Sequence, residues 1–148
     1  MLKTGGVLRQ AFSGDIAAMH RVRLSVRENR LASAITAQDY AHAIEATGRG
    51  WVVEEDGEVV AFAVGNAQTG NIWALFVDPD HERRGYGRAL HDAMVAWLFS
   101  RGLRRLWLGT QPGTRAQRFY AIAGWTETGT LANGEIGFEL ATFDARSR

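Results

Sequence analysis

Leu75-Phe-Val-Asp-Pro-Asp-His-Glu-Arg-Arg-Gly-Tyr-Gly-Arg-Ala-Leu90 is the stretch on which the reading of this chain turns. An apolar run, Ile72 to Val77, stops at Asp78-Pro-Asp80, and a short arginine- and glycine-rich loop then opens a helix. A run that is apolar at successive positions reads as a strand covered on both faces. The helix is expected from about Gly85 to Ser100, with Leu90, Met94, Trp97 and Leu98 on one face and Gly102 placed to end it. At the junction the glycines let the backbone turn tightly and approach a ligand without a Cβ in the way. The N–H groups of Gly85, Tyr86, Gly87, Arg88 and Ala89 converge at the positive end of the helix dipole, an arrangement that binds phosphate. Arg83, Arg84 and Arg88 add positive charge around it. On spacing alone, a helix start with a solvated basic rim fits as well.

Before this stretch, Trp51–Glu55 and Glu58–Val64 flank Asp56-Gly57, the pattern of a tight β-hairpin. Further back, Val7–Phe12 reads as a first strand. Asp15 is then expected to cap a helix carrying Ile16, Met19, Val22 and Val26 and ending around Asn29–Ser33. Thr36 is the expected cap of a second helix, Ala37 to about Thr47. After the central helix come a strand, Arg105–Leu108, and a helix, Thr114–Ala123, stopped by Gly124. Two strands, about Trp125–Leu131 and Glu135–Ala141, lie around an Asn133-Gly134 turn. The sum is one mixed α/β domain over residues 1–148, with about six to seven strands in a central sheet and about four helices.

Composition narrows the function. With 46% hydrophobic residues and a net charge of +1, the 148-residue chain is globular rather than disordered, and no general attraction for a polyanion or an anionic membrane is expected. Zero cysteines exclude disulfides, thiolate metal sites and a cysteine nucleophile. The longest apolar run, Ala93 to Phe99, is far below the ~20 residues of a membrane span. The opening Met-Leu-Lys-Thr-Gly-Gly offers no apolar segment for a signal peptide, so a cytoplasmic location is expected. His20, His42, His81 and His91 show no metal-binding spacing, and no metal is expected. Arg101, Arg104 and Arg105 lack interleaved exposed aromatics and read as a solvated face rather than a nucleic-acid site. The five tryptophans mostly follow apolar patterns and are expected in the core, with Trp73 a candidate wall of an acceptor pocket.

Two familiar phosphate loops do not fit. A Walker loop needs Gly-x4-Gly-Lys-Ser/Thr, which is absent. A dinucleotide fingerprint needs a third glycine where Leu90 stands and an acid near Trp107. The stretch does resemble the cofactor motif of the GNAT superfamily of N-acetyltransferases, Gln/Arg-x-x-Gly-x-Gly/Ala after a strand ending in Val-x-Pro. Val77-Asp-Pro79 and Arg84-Gly-Tyr-Gly-Arg88 match it, with Glu82 at the Gln/Arg position. Gly113-Thr-Arg-Ala-Gln-Arg-Phe-Tyr-Ala-Ile-Ala-Gly-Trp125 is similar to the second motif of that family, with Tyr120 at its helix tyrosine and Gly113 where the family has asparagine.

The resemblance implies acetyl-coenzyme A as donor, with pyrophosphate on the Arg83–Arg88 loop. It also implies that pantetheine bonds to the backbone of Leu75, Phe76 and Val77 where the central strands splay. The acceptor is then a primary amine of a small molecule or peptide, attacking the thioester directly. An amine of pKa ~10.4 must lose a proton first, and the departing thiolate needs a donor; a phenol of pKa ~10 suits the second task. Tyr120 holds the position of that donor. The strand positions where relatives carry a glutamate are Ala74, Leu106 and Leu108 here, so either a carboxylate from the early helices or water takes the proton. The resemblance, in which the loop joining the first two helices helps build the acceptor site, makes Glu28 the candidate base to test first. A non-catalytic acyl-coenzyme A sensor is the alternative reading. A homodimer paired through an edge or terminal strand is expected, the last strand carrying Ile136, Phe138 and Leu140 in alternation.

Overall fold

The computed structural model describes residues 5–26 and 35–142. In chain order they form β1 (Val7–Gln10), α1 (Ile16–Ser25), α2 (Ala37–Ala41), β2 (Gly48–Glu55), β3 (Glu58–Asn66), β4 (Ile72–Val77) and α3 (Tyr86–Ser100). Then follow β5 (Arg105–Thr110), α4 (Arg115–Ile122), β6 (Thr126–Thr130) and β7 (Ile136–Ala141). The mixed α/β architecture with its strand and helix order is as read from the sequence. The single central sheet, however, is divided: β1-β2-β3-β4 form one antiparallel sheet and β5-β7-β6 another. Among the described residues, no helix is long and apolar enough to cross a membrane.

Local chemistry accounts for most boundaries. Asp56 (φ 54°) and Gly57 (φ 79°) supply the two left-handed residues of the β2–β3 turn. Thr36 caps α2 through a reciprocal box: its Oγ1 accepts the Asp39 N–H at 3.1 Å, and the Asp39 carboxylate accepts the Thr36 N–H at 2.8 Å. The helix expected to Thr47 is α-helical only to Ala41. It continues as a π-helical turn, His42–Ala46, closed by the Thr47 N–H on the His42 carbonyl at 3.1 Å. Asp15 stands at the start of α1 but does not cap it, because its carboxylate is drawn to Arg9 (2.8 Å) and to the Phe12 N–H (2.8 Å). The Arg9 hydrogen bonds hold that carboxyl below the usual carboxylate range.

Apolar residues gather on the two sides of the sheets. Trp51, Ala61, Ala63, Ile72, Leu106, Leu108 and Phe138 pack under α3 and α4, against Leu90, Met94, Leu98 and Tyr120. Val52, Phe62, Val64 and Ala74 pack under α1 and α2, against Met19, Val22 and Tyr40. Trp107 departs from the tryptophan expectation: it faces outward on β5 and is exposed, its indole N–H donating to the Thr69 carbonyl at 3.2 Å. β7 lies between β5 and β6, so both of its backbone edges are already paired. That removes the terminal strand as a dimer edge; β1 and β6 are outer strands of the two sheets, and all five residues of β6 are exposed.

Candidate active site

The two sheets meet only at one end. β4 and β5 run parallel and touch at an Asn71–Trp107 bridge, where the Trp107 N–H donates to the Gly70 carbonyl at 3.0 Å. Just beyond, β4 carries an extra residue: Val64 pairs with Ala74 and Gly65 with Ile72, leaving Trp73 as a bulge. From there the strands diverge. Among the described residues, the β5-facing backbone groups of Leu75, Phe76 and Val77 have no strand to pair with, while their other edge bonds to β3. Polar backbone left unpaired in a cleft is a binding surface for another chain of amides. A cavity of about 830 Å³ opens in this gap, and Trp73 to Val77, Leu108 to Gln111 and Tyr120 line it.

At one end of the cavity stands the loop that opens α3. Gly85 takes φ +81°, a conformation glycine adopts without strain, and so turns the chain into the helix. Its carbonyl accepts the Ala89 N–H at 3.0 Å, the first bond within the helix. Ala89 is therefore not part of the cradle, which narrows to the N–H groups from Gly85 to Arg88. Arg83, Gly85, Tyr86, Gly87 and Arg88 line the cavity. Arg84 does not: its guanidinium pairs with Glu55 at the end of β2, and the buried Tyr86 hydroxyl donates to the same carboxylate. Those two partners, Tyr86 first, hold the Glu55 carboxyl below its usual range. Arg84 and Tyr86 thus fasten the loop to the sheet. Arg83, at φ +64°, carries the backbone strain of the turn, about 1–2 kcal/mol for a side-chain-bearing residue. Glu82, the departure from the motif, pairs with Arg115 at the start of α4.

α4 is capped by Thr114, whose Oγ1 accepts the Gln117 N–H at 3.4 Å. One turn further, it presents Tyr120 to the cavity. The ring is clamped by Phe119 (centroids 5.2 Å), Trp125 (5.4 Å), Phe138 (6.2 Å) and His91 (6.4 Å). The hydroxyl bonds to no other described residue, and burial pushes its ionisation upward. His91 fixes the clamp: its Nε2 accepts the Trp125 indole N–H at 2.9 Å, so its Nδ1 carries the proton and faces Asp92 Oδ1 at 2.9 Å. Thr110 closes the wall near Leu108. Its buried Oγ1 has no partner among the described residues, an open polar position that suits a ligand.

Sequence reasoning missed other features on the α1 side. Arg23 is buried, 4% exposed, and lies over the rings of Trp73 (4.7 Å), Phe76 (5.0 Å) and Tyr40 (5.5 Å). Its Nη1 donates to the Tyr40 hydroxyl at 3.2 Å, and among the described residues no carboxylate pairs with it. Cation–π contact substitutes for the missing anion and joins Arg23 to Trp73 and Phe76, both cavity residues. Trp73 is where the acceptor-wall expectation put it. Glu28 lies outside the described residues. Glu135, from the β6–β7 loop, lines the cavity and was not singled out by the sequence reading.

A parted pair of parallel strands, a glycine-turned helix start lined with arginines and a buried phenol without a hydrogen-bond partner among the described residues form the frame of an acyl-coenzyme A transferase. The family model of the acetyltransferase (GNAT) family matches residues 15–125, and the chain belongs to that family. Among curated relatives, the mycothiol acetyltransferase of Beutenbergia cavernae is 38% identical over 82 residues, 51% of this chain and 28% of that protein. The ribosomal protein bS18-alanine N-acetyltransferase of Escherichia coli K12 is 34% identical over 76 residues, 49% of this chain and 51% of that one. The matched stretch therefore spans about half or less of the length of these relatives. The crystal structure of PaiA N-acetyltransferase from Thermoplasma acidophilum in complex with coenzyme A superposes with a TM-score of 0.79 at 11% identity, over 93% of this chain and 99% of that one. That likeness establishes the shared fold.

Proposed function

We propose that this chain, acting as one domain in the cytoplasm, transfers acetyl from acetyl-coenzyme A to a primary amine of a small molecule or peptide. The observation that carries the reading is a single cavity that joins the Gly85–Arg88 anion cradle to the Tyr120 hydroxyl through the gap between β4 and β5. Cradle N–H groups, with Arg83 and Arg88, would hold pyrophosphate. The unpaired edge of Leu75–Val77 matches the amides of a pantetheine arm, and Tyr120 is set to protonate a departing thiolate. A phenol poised in the cavity without a hydrogen-bond partner favours an enzyme over a non-catalytic sensor, which has no use for it. Pairing of two copies falls to β6, the free edge of the second sheet.

The test is at Gly87. A Cβ there meets Phe119 and Val77 at 3.6 Å each, ordinary contact, so the fold accepts a side chain while the cradle does not. Gly87→Asp sets a carboxylate against phosphate and is expected to abolish the thermal stabilisation that coenzyme A gives the parent. Gly87→Ala is expected to weaken it while raising stability by about 0.5–1 kcal/mol, the gain of alanine over glycine in a helix. Equal stabilisation of a folded Gly87→Asp protein by coenzyme A refutes the assignment.

A further inference from the structure

We propose that Glu135 is the amine-side catalytic residue: its carboxylate binds the ammonium of the acceptor and removes the proton that frees the nitrogen for attack. The proposal rests on the acetyl-transfer reading above. The alternation along β5 sets its geometry. Leu106 and Leu108 face the core under α3 and α4, so Gly109 faces the opposite side, the side on which α1, Trp73 and Phe76 pack. In β7, Gly137 pairs with Gly109, while Phe138 and Leu140 join the α3 and α4 core. Glu135 therefore shares the α1 side with Gly137, two residues on.

The two paired glycines make a notch. A Cβ on Gly109 would sit 2.6 Å from Glu135 Oε1 and 3.1 Å from Leu131 Cδ1; one on Gly137 would sit 2.9 Å from Leu131 Cδ2. Absent side chains let the β6–β7 loop fold onto the strands and lay its carboxylate against β5. Asn133 orients that carboxylate: its Nδ2 donates to Oε1 at 2.8 Å, and its Oδ1 accepts the Glu135 N–H at 3.0 Å. Oε2 bonds to no described residue, and no described cation pairs with the group. The other carboxylate lining the cavity, Glu82, is occupied by Arg115 beside the cradle. Glu135 is thus the one lining carboxylate, among the described residues, left to meet a cation, and Trp73, Phe76 and Val26 supply an apolar wall on the same side. The matching acceptor is a primary ammonium on an apolar or aromatic body.

The proton balance is complete. Glu135 takes one proton from the ammonium, and the freed lone pair forms the nitrogen–carbon bond to the thioester carbonyl. As the carbon–sulfur bond breaks, its electron pair leaves on sulfur, which takes the Tyr120 proton. The second nitrogen proton restores Tyr120, and the Glu135 proton passes to water.

The experiment is a calorimetric titration of phenethylamine and its neutral counterpart 2-phenylethanol into free and coenzyme A-loaded protein. The parent is expected to hold the ammonium at least about tenfold tighter than the alcohol, and Glu135→Gln to erase that preference. Gly109→Ala, whose methyl would crowd Oε1 and displace the carboxylate while Glu135 itself is kept, is expected to weaken the preference in the same direction. Acetylation of phenethylamine by Glu135→Gln is expected to fall ~10²–10⁴-fold, with coenzyme A affinity unchanged. A parent that holds both probes alike, or a Glu135→Gln protein that still prefers the amine, overturns the proposal. A parent that prefers the amine through Glu135 but binds no coenzyme A supports the ammonium site and overturns the acetyl-transfer reading instead.

Discussion

Replacing Tyr120 with phenylalanine separates what the ring does from what the hydroxyl does. The ring is 5% exposed and wedged among Phe119, Trp125, Phe138 and His91, contacts that phenylalanine keeps. The hydroxyl bonds to no other described residue, so its removal leaves no orphaned partner. The stability change should stay under about 1 kcal/mol, the size of one net hydrogen bond, or less than about 4 °C in melting temperature. Loss of a positioned proton donor costs ~10²–10⁴ in rate, about 2.7–5.4 kcal/mol at 1.36 kcal/mol per tenfold. The sign with pH also follows. Burial raises the ionisation of this phenol, so it stays protonated through neutral and mildly alkaline pH, and the deficit of the variant should be constant there. The assay is release of coenzyme A thiol at saturating acetyl-coenzyme A and amine from pH 7 to 9. A Tyr120→Phe turnover within about twofold of the parent across that range would show that water or another group protonates the thiolate.

Two further outcomes are expected. His91 is held neutral by burial, its ionisation lowered from the ordinary ~6.5, so the unfolded chain binds the proton more readily. Stability should be level above pH 6.5 and fall below it, by at most about 1.4 kcal/mol per pH unit, and urea melts of His91→Phe should lack that component; an identical acid slope in the variant refutes it. The exposed edge of β6 should pair two copies, so sedimentation at tens of micromolar protein should give twice the 16.3 kDa chain mass, and a monomer mass there refutes the pairing.

What the sequence disclosed is local. Strand, loop and helix from Ile72 to Ser100 follow each other within a few residues, and each boundary is written in its own chemistry: Pro79 after the strand, Gly85 at the turn, a four-residue apolar period after it. Tyr120 was reachable because its helix and the motif around it are contiguous. Asp15 misled because its rival partner, Arg9, lies across a turn and draws the carboxylate more strongly than the helix N–H groups do. Arg23 was opaque for a similar reason. Its aromatic cage draws on Tyr40, Phe62, Trp73 and Phe76, from an early helix and two strands, and no periodicity in one segment announces a buried cation.

The acceptor side is written in cross-strand register instead. Glu135 and Gly109 are far apart in the chain and meet because β5 and β7 pair with Gly109 opposite Gly137. Yet one trace was present. Glycine within a strand weakens it and usually marks a place where something approaches closely. Gly109 and Gly137 each interrupt a strand otherwise rich in apolar residues. If the loop between β6 and β7 is what approaches, the residue two before Gly137 falls on the same face as the notch. That residue is Glu135. The missing strand glutamate is then not a loss of the proton acceptor. A carboxylate delivered from the loop that precedes β7 reaches the gap between β4 and β5 from the α1 side, leaving Leu108 free to pack beneath Tyr120 in the opposite core.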